Sequence, residues 1–356
     1  MRILFLCTDI YGGHGGIALF NREFTATLTT LPGCEEVVVL PRVIPNPGAD
    51  AVPPKVRFAA EAARGALAYM ATLWRELRRG PFDLVICGHV NLLPLARFAT
   101  KHPLLVTHGI EAWKPLREPL SNVLVHDCRA IVSVSAVTRD RLRAWSGFKG
   151  PMFVLPNAVR RERYGIRPKS EALLARYKLH GKRVLLTVGR VVAAERYKGF
   201  DEILDVLPEL PEDVVYMIAG GGNDAPRLLQ KAAALGIGAR VIFTGLFAES
   251  EKADLYNLAD VYVMPSRGEG FGFVFLEALA SGVPVIASKH DGGREAVLDG
   301  ELGLLVDPAN PAELRVAIEE LLARGERVVP ERLEYFSFEN FERRVHQIIA
   351  EITGER

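Results

Sequence analysis

The sequence predicts an α/β protein with two doubly wound domains, each built on its own parallel sheet. The chain has 356 residues, enough for two ordinary domains, and 49% of them are hydrophobic. Its short apolar runs are continuous rather than alternating, as in parallel strands that are covered on both faces. Helical patterns separate these runs, and the same alternation begins again after about residue 165.

In the first half, six apolar runs are predicted to be strands. They are residues 2–7, 36–40, 83–88, 104–108, 130–135 and 152–157. Proline and glycine mark "IPNPGADAVPP" as a loop, and the pattern over 57–79, which ends in "WRELRRG", predicts one helix. This helix carries aromatic and basic residues together, so it is either an interfacial helix or an ordinary packed helix with a solvated basic face.

In the second half, six further strands are predicted. They are residues 183–189, 214–220, 240–245, 259–266, 283–288 and 302–307. A last helix is predicted over about 338–353. We place the first domain at 1–165, joined by the C-terminal helix of about 338–356, and the second at 166–337. Two such sheets facing each other would form a cleft, where ligands bind at the carboxyl ends of the strands.

Composition narrows the class of protein. No apolar run reaches the roughly 18 residues of a membrane span, and the apolar start is typical of a buried first strand rather than of a signal peptide. The four cysteines form no CxxC pair and no zinc-type cluster, so we expect free thiols and a cytoplasmic protein. No nucleic-acid partner is predicted.

Charge is unevenly distributed along the chain. The overall net charge is +1, but residues 1–160 carry a net +7 and the remainder −6. Either this is chance variation or the first half meets an anionic partner, such as a phosphorylated substrate or an anionic membrane surface.

The glycine-rich stretch "YGGHGG" follows the first predicted strand and precedes a helix. Glycines at Gly13, Gly15 and Gly16 would let backbone N–H groups approach a phosphate at the helix N-terminus. A simple tight turn and a dinucleotide site remain alternatives. The second strand ends at Leu40, Pro41 and Arg42, without the acidic residue that a ribose of NAD would need.

Cations follow the first strand of the second domain. Arg190 lies at its carboxyl end, and Lys198 comes just before a glycine and a new helix. Two cations at the mouth of a sheet can neutralise a diphosphate, including the charge that grows on a leaving diphosphate. The alternative is a pair of solvated surface cations. In the first domain, His108 ends a strand, where it is either structural or able to donate a hydrogen bond or carry a proton.

Two glutamates follow a strand of the second domain, in "PSRGEGFGFVFLEALASGVPVIAS". Glu269 falls in the predicted glycine-rich turn 267–273, and Glu277 falls early in the predicted helix. We expect both carboxylates to face the same crevice as Arg190, where a carboxylate can bind vicinal hydroxyls of a sugar or ribose. The alternative is that they merely complement the helix dipole.

Together these motifs resemble the retaining, nucleotide-sugar-dependent glycosyltransferases of family GT4. The most specific match is the E-x7-E spacing of Glu269 and Glu277. "VGR…KG", "THG", "LPNAV" and "DGGREAVLDGELGLLVDP" are also similar, and the resemblance covers nearly the whole chain, most strongly 183–308. Two features depart from the family pattern: the spacing from Arg190 to Lys198 is longer than usual, and "LPNAV" replaces the commoner "PNGV".

The resemblance implies a GT-B fold of two Rossmann-like domains and a role for each motif. Glu277 would bind the ribose, Arg190 and Lys198 the diphosphate, and Glu269 the donor sugar, while His108 would contact the transferred sugar. The residues implied in catalysis are His108, Arg190, Lys198 and Glu269. The residues implied in substrate binding are Gly13, Gly15, Gly16, Arg190, Lys198, Glu269, Gly270, Phe271, Gly272, Phe273 and Glu277.

The function implied is retaining transfer of a hexose from a nucleotide-diphosphate sugar to a hydroxyl of a glycan or lipid-linked acceptor. Cell-surface polysaccharide or glycolipid synthesis is the expected setting, with peripheral contact to an anionic membrane. No metal and no cofactor are expected, because cations and helix N-termini can offset the diphosphate charge. A nucleotide-sugar epimerase and a non-catalytic nucleotide-sugar-binding protein of the same fold are the alternatives, and a dehydrogenase is more distant.

Overall fold

Two parallel β-sheets organise the structure, a computed structural model that describes residues 1–13, 15–48, 50–117 and 119–354. The chain divides into two compact units. One contains Met1–Asn157 with Glu339–Arg356, and the other contains Ala158–Phe338. The domain boundary expected at 165/166 stays a prediction.

The sheet of the first unit has seven strands, all parallel, in the order β3-β2-β1-β4-β5-β6-β7. They are β1 Arg2–Cys7, β2 Glu36–Pro41, β3 Val56–Phe58, β4 Leu84–Cys87, β5 Leu104–Thr107, β6 Ala130–Ser133 and β7 Met152–Val154. The helices are α1 Gly16–Leu28, α2 Ala66–Arg78, α3 Leu93–Ala99, α4 Pro119–Leu124 and α5 Ala136–Ser146. The strand order reverses between β1 and β4.

The sheet of the second unit has six parallel strands in the order β10-β9-β8-β11-β12-β13. They are β8 Arg183–Val188, β9 Val214–Ala219, β10 Val241–Gly245, β11 Val261–Val263, β12 Val285–Ser288 and β13 Leu304–Val306. The helices are α6 Glu171–Tyr177, α7 Phe200–Val206, α8 Ala225–Ala234, α9 Lys252–Leu258, α10 Phe273–Ala280, α11 Gly293–Ala296 and α12 Pro311–Arg324. This is the 3-2-1-4-5-6 order of a Rossmann fold, with its reversal between β8 and β11.

The C-terminal helix α13, Phe338–Thr353, belongs mainly to the first unit. Its apolar face is buried, and the ring of Phe341 meets that of Phe20 on α1 edge-on, with centroids 6.0 Å apart. None of the helices in the described ranges is both apolar enough and long enough to cross a bilayer.

The predicted α/β class and the pair of doubly wound parallel sheets are confirmed. Each of the twelve predicted strands is present, and α13 has the predicted bounds of 338–353. Burial explains the continuous apolar runs, since all six residues of β9 are buried and the two faces of a central strand both meet covering helices.

One predicted element is wrong. The single helix expected over 57–79 is three elements: the strand β3, a 3₁₀ helix at Ala60–Arg64 and then α2. Gly65 divides the last two with φ of +131°, a backbone conformation that an α-helix does not contain. The edge strand β3 was missed because only three of its residues pair with β2. Three residues are too few to show a hydrophobic period.

Candidate functional site

The candidate site of the second unit lies where its strand order reverses. The neighbouring strands β8 and β11 are paired, and a loop follows the carboxyl end of each. Such a reversal leaves a crevice beyond the strand ends, because the two connections run to opposite faces of the sheet. The loop after β8 carries Arg190 and Lys198, and the loop after β11 carries Glu269.

Two cations and two carboxylates meet in this crevice. The Lys198 Nζ lies 3.6 Å from Glu195 Oε2 and 3.8 Å from Glu269 Oε2. Arg190 donates from Nη2 to the other oxygen of Glu195. Arg190 remains 69% exposed, whereas the Lys198 side chain is only 14% exposed. The predicted proximity of Arg190, Lys198 and Glu269 is therefore present, with Glu195 shared between the two cations.

Main-chain contacts hold the two loops against each other. The Arg267 N–H donates to the Tyr197 carbonyl at 2.7 Å. A Cβ on Gly199, whose φ is +87°, would come within 2.6 Å of the Pro265 carbonyl oxygen. Both the close approach and the backbone conformation require glycine just after Lys198. The position of the lysine is thus set by backbone packing.

An ion-pair network anchors the other side of the Lys198 loop. Arg196 donates from Nη2 to Asp224 Oδ1 at 2.7 Å, and Arg227 donates to both Asp224 and Asp201 at 2.7 Å. These arginine bonds lower the pKa of the Asp224 carboxyl to about 2. The network joins the loop after β8 to the start of α8.

A buried aspartate supports the turn that carries Glu269. Asp291 accepts from the Ser266 hydroxyl at 2.6 Å, from the Glu269 N–H at 2.9 Å and from the Gly293 N–H at 3.0 Å. The side chain is fully buried, and burial, with the nearby Glu269 charge, raises its pKa to about 7 despite these three bonds.

The phenylalanines of the turn face inward. Phe271 is buried and its ring meets Phe336 edge-on, with centroids 5.6 Å apart. Phe273, the first residue of α10, is also buried, and Gly272 before it has φ of +90°. A ligand at Gly270–Phe273 would therefore meet main-chain N–H groups at the start of α10 rather than aromatic faces.

Glu277 has a different set of partners from Glu269. It is 3% exposed and accepts from Lys252 Nζ at 2.6 Å and from the Tyr256 hydroxyl at 2.7 Å. Burial together with the Glu277 charge raises the pKa of Tyr256 and of the nearby Tyr164, so both hydroxyls keep their protons. These contacts lie on α9 and on the segment before α6.

The expected position of Glu277 within its helix is wrong. It is the fifth of the eight residues of α10, and no acidic residue occupies the first turn of that helix. The helix begins at Phe273, directly after the left-handed Gly272, so Glu277 lies beyond the first turn. The alternative that these glutamates complement the helix dipole is thereby removed for Glu277.

In the first unit, the glycine-rich loop after β1 is held by α1. Arg22 of α1 donates from Nη1 to the carbonyls of Ile10 and Gly13, both at 2.9 Å. A Cβ on Gly13 would lie 2.7 Å from Asp9 Oδ2, so the loop leaves no room for a side chain there. Gly15, with φ of +96°, precedes α1, and Gly16 is its first residue. His14 of the motif lies outside the described residues.

His108 lies just beyond β5, close to the ends of β1 and β4. Its Nε2 donates to the Gly88 carbonyl at 2.9 Å, and its own N–H donates to Glu111 Oε1 at 2.5 Å. Burial lowers the pKa of His108, although the Glu111 charge opposes the shift. Burial likewise lowers the pKa of His89, which the sequence did not single out. A neutral His108 that donates from Nε2 has Nδ1 as an acceptor.

Comparison with known proteins identifies the family. The model described as "Glycosyl transferases group 1" matches residues 171–336, and the model described as "Glycosyltransferase Family 4" matches residues 14–163. The chain belongs to glycosyltransferase family 4. Together the two matches cover both units, so the resemblance noted from the motifs is confirmed at the level of the family.

Among curated relatives, the GDP-mannose-dependent alpha-(1-6)-phosphatidylinositol monomannoside mannosyltransferase of Mycolicibacterium smegmatis is 33% identical over 249 residues. That match covers 66% of this chain and only 64% of the relative. The phosphatidyl-myo-inositol mannosyltransferase of Mycobacterium leprae is 28% identical, over 90% of this chain and 87% of the relative. The crystal structure of Anabaena Alr3699/HepE in complex with UDP is 19% identical with a TM-score of 0.77, covering 99% of this chain and 100% of that one. This structural likeness supports the GT-B fold.

Several residues of this candidate site were missed from the sequence. They are Glu195, Ser266, Asp291, Lys252, Tyr256 and Tyr164. Only two carried a usable signal: Glu195 stands between the two predicted cations, and Asp291 opens the quoted "DGG" stretch. The contacts of Lys252 and Tyr256 with Glu277 span more than 20 residues, so no local pattern shows them.

Within the described ranges, no group of three or more His, Cys, Asp or Glu side chains is arranged to hold a metal ion. The four cysteines are buried and free. Whether catalysis proceeds without a metal stays a prediction.

Proposed function

We propose that the chain is a retaining hexosyltransferase, which moves a sugar from a nucleoside-diphosphate sugar to a hydroxyl of a glycan or lipid-linked acceptor. The observation that carries the proposal is the crevice at the strand reversal of the second unit, where an exposed Arg190 and a half-buried Lys198 share Glu195 and Lys198 also lies beside Glu269. Cell-surface polysaccharide or glycolipid synthesis is the proposed setting.

The two cations suit a diphosphate. Glu195 pairs with both cations and Glu269 pairs with Lys198, so the two positive charges meet two negative ones. A bound diphosphate would share these donors, and the largely exposed Arg190 could turn to it with little loss of packing. As the glycosidic bond breaks, negative charge grows on the diphosphate, and Lys198 would stabilise that charge more strongly than in the ground state.

The two glutamates suit hydroxyl groups at opposite ends of the donor. Glu269, beside Lys198, would lie near the diphosphate and accept from hydroxyls of the sugar. Glu277 would accept from the ribose hydroxyls. Lys252 and Tyr256 engage one position on each of its oxygens, and a carboxylate has about four lone-pair sites in all. The fixed orientation of this carboxylate would lower the entropy lost on binding.

The proposed reaction is a substitution on the face from which the diphosphate departs. The acceptor oxygen bonds to the anomeric carbon while the bond from that carbon to the phosphate oxygen breaks. The electron pair stays on the phosphate oxygen, which takes the proton of the acceptor hydroxyl. His108 would accept a hydrogen bond from a hydroxyl of the transferred sugar through Nδ1. No metal, cofactor or protein nucleophile is required in this scheme.

The donor and acceptor are suggested by the curated relatives. Two of them are mannosyltransferases that act on phosphatidylinositol-based lipids, and one is named as dependent on GDP-mannose. We therefore propose GDP-mannose as the first donor to examine and an inositol-containing glycolipid as the first acceptor. A lipid-linked acceptor also agrees with the net +7 of residues 1–160.

Helix α2 of the first unit supports contact with an anionic membrane. Leu67, 89% exposed, and Trp74, 60% exposed, lie seven residues apart on one face. The Arg78 guanidinium lies over the Trp74 ring, 4.5 Å from its centroid, and Arg64 precedes the helix. Exposed apolar side chains flanked by arginines on one helical face suit a bilayer interface with anionic headgroups.

The decisive experiment offers radiolabelled GDP-mannose, UDP-glucose and ADP-glucose with and without an inositol glycolipid acceptor. Acceptor-dependent transfer with the α configuration of the donor retained would support the proposal. Conversion of the donor sugar without an acceptor would instead indicate an epimerase. Tight donor binding with neither transfer nor slow donor hydrolysis would indicate a binding protein.

A further inference from the structure

We infer that Asp291 is a positioning residue for Glu269: together with the Gly292 backbone, it holds the main chain from which the Glu269 side chain reaches the donor. The inference rests on the proposed function and adds to it a residue that itself touches neither donor nor acceptor. Its basis is a set of hydrogen bonds between the loops after β11 and β12.

Both main-chain polar groups of Glu269 are bonded to two consecutive residues. The Glu269 N–H donates to Asp291 Oδ2 at 2.9 Å, and the Glu269 carbonyl accepts from the Gly292 N–H at 2.9 Å. The backbone of Glu269 is thus held from both sides in the middle of a glycine-rich turn. Since a side chain leaves from its Cα, these two bonds determine where the Glu269 carboxylate lies relative to Lys198.

The fit between the two loops leaves no room for a different arrangement. A Cβ placed on Gly292 would lie 1.9 Å from the Gly270 carbonyl oxygen. The neighbouring Gly293 has a similar restriction, since its Cβ would lie 2.9 Å from the Phe275 ring. The backbone of the Asp291 segment therefore packs directly on the backbone of the turn. This contact determines the position of the turn.

A carboxylate is the side chain that satisfies this position. Asp291 receives three hydrogen bonds, two on Oδ2 from Ser266 and Glu269 and one on Oδ1 from Gly293. Asparagine has a single acceptor oxygen, so its NH₂ group would face one of these donors. The Glu269 N–H or the Gly293 N–H would then lose its partner.

Burial at this position costs a carboxylate free energy. Asp291 is fully buried and its three donors are neutral groups, and its pKa lies near 7 as a consequence. Burying an ionisable group among neutral donors costs free energy that a neutral side chain would avoid. If this position had only to pack the turn, a neutral side chain would serve without that cost. A need to place Glu269 accurately explains why a carboxylate is present.

The test separates the sugar from the nucleotide. Binding of GDP, GDP-mannose, UDP and UDP-glucose is measured by calorimetry for the wild type, Asp291→Asn and the matched control Asp260→Asn. Asp260 is also partly buried in this unit, where it accepts from the Val184 N–H and from Lys169 at the opposite end of the sheet. We expect Asp291→Asn to weaken the affinity for the nucleotide sugar at least 10-fold. The affinity for the nucleoside diphosphate should change less than twofold. An equal loss of affinity for both ligands, or no loss of affinity for either, would overturn the inference.

A double-mutant cycle shows whether Asp291 acts through Glu269. In a Glu269→Gln background, Asp291→Asn should lower the affinity for the nucleotide sugar by less than a further twofold. The carboxylate that Asp291 positions is already absent in that background. Additive losses would contradict the inference. Ser266→Ala removes one bond to Asp291 and should lower nucleotide-sugar affinity about 3-fold to 10-fold in the same selective way. That milder variant decides the matter if Asp291→Asn does not fold.

The wild-type measurements distinguish the two levels of the proposal. Failure of the wild type to bind any of the nucleotide sugars would overturn the proposed function, and this inference with it. Sugar-dependent binding by the wild type, left unchanged in Asp291→Asn and Ser266→Ala, would overturn the inference alone.

Discussion

The Lys198 ammonium lies 3.8 Å from the carboxylate of Glu269, across the two loops that leave the carboxyl ends of β8 and β11. The two side chains come from positions 71 residues apart, and neither loop contains a helix long enough to align them. In the proposed function, this pairing would place a diphosphate-binding group beside a sugar-binding group, as transfer from a nucleotide sugar requires.

Replacing Lys198 with alanine should lower kcat about 10²-fold to 10³-fold, or about 2.7–4 kcal/mol of transition-state stabilisation. The reason is that the ammonium would act on the negative charge that grows as the diphosphate leaves. Steady-state kinetics with the active donor provide the measurement. Lys289→Ala is the matched control, because Lys289 is a half-exposed lysine of the same unit paired with Glu313. Wild-type turnover in Lys198→Ala would remove this lysine from the site.

Glu277→Gln should weaken binding of the nucleoside diphosphate about 10-fold to 100-fold, because the ribose loses a charged acceptor. It should also lower stability, since Lys252, 15% exposed, loses the nearer and more buried of its two carboxylate partners. The double variant Glu277→Gln/Lys252→Met should recover the melting temperature without recovering nucleotide affinity. If the double variant regains both, Glu277 serves stability and not the ribose.

His108→Gln should lower kcat about 10²-fold with little change in the affinity for donor, since its contact is proposed at the transferred sugar. The glutamine amide can still donate to the Gly88 carbonyl, so the fold of the loop should persist. His126→Gln, at an exposed histidine of the same unit, is the control. Equal kcat in the two variants would argue against a role in transfer.

Stability should depend on pH through Asp291. Its pKa is about 7 in the folded protein and 3.8 in the unfolded chain, so between these values the folded state holds the extra proton. Stability from this group is then greatest at low pH and falls as pH rises from about 4 to about 7, by up to about 1.4 kcal/mol per pH unit. The melting temperature of the wild type relative to Asp291→Asn should therefore fall over that range. A rising difference would show that the folded pKa is lowered instead.

Trp74→Glu should abolish most binding to vesicles that contain phosphatidylinositol or phosphatidylserine. The change removes an exposed aromatic ring from α2 and places a negative charge beside Arg78. Vesicle flotation at low salt provides the measurement, and Val316→Glu on the exposed side of α12 is the control. Absence of wild-type binding to anionic vesicles would dispose of the membrane contact.

Much of the fold was predictable because it depends on local pattern. Continuous apolar runs gave all twelve predicted strands, and the amphipathic period gave α13. The edge strand β3 was not predicted because its three half-buried residues show no hydrophobic period. Gly65 was not recognised as the break between Ala60–Arg64 and α2. The ends of β8 and β11 placed Arg190, Lys198 and Glu269 together, since parallel strands deliver their carboxyl ends to one edge.

By itself, the sequence determined the α/β class, the order of the strand and helix patterns and the residues that stand at the strand ends. The tertiary structure alone decided that Glu195 lies between the two cations, that Lys252 and Tyr256 hold Glu277, and that Asp291 supports Glu269. Strand and turn formation depend on neighbours along the chain, which a sequence displays. Ion pairing and burial depend on distances between loops, which exist only after the sheet has assembled.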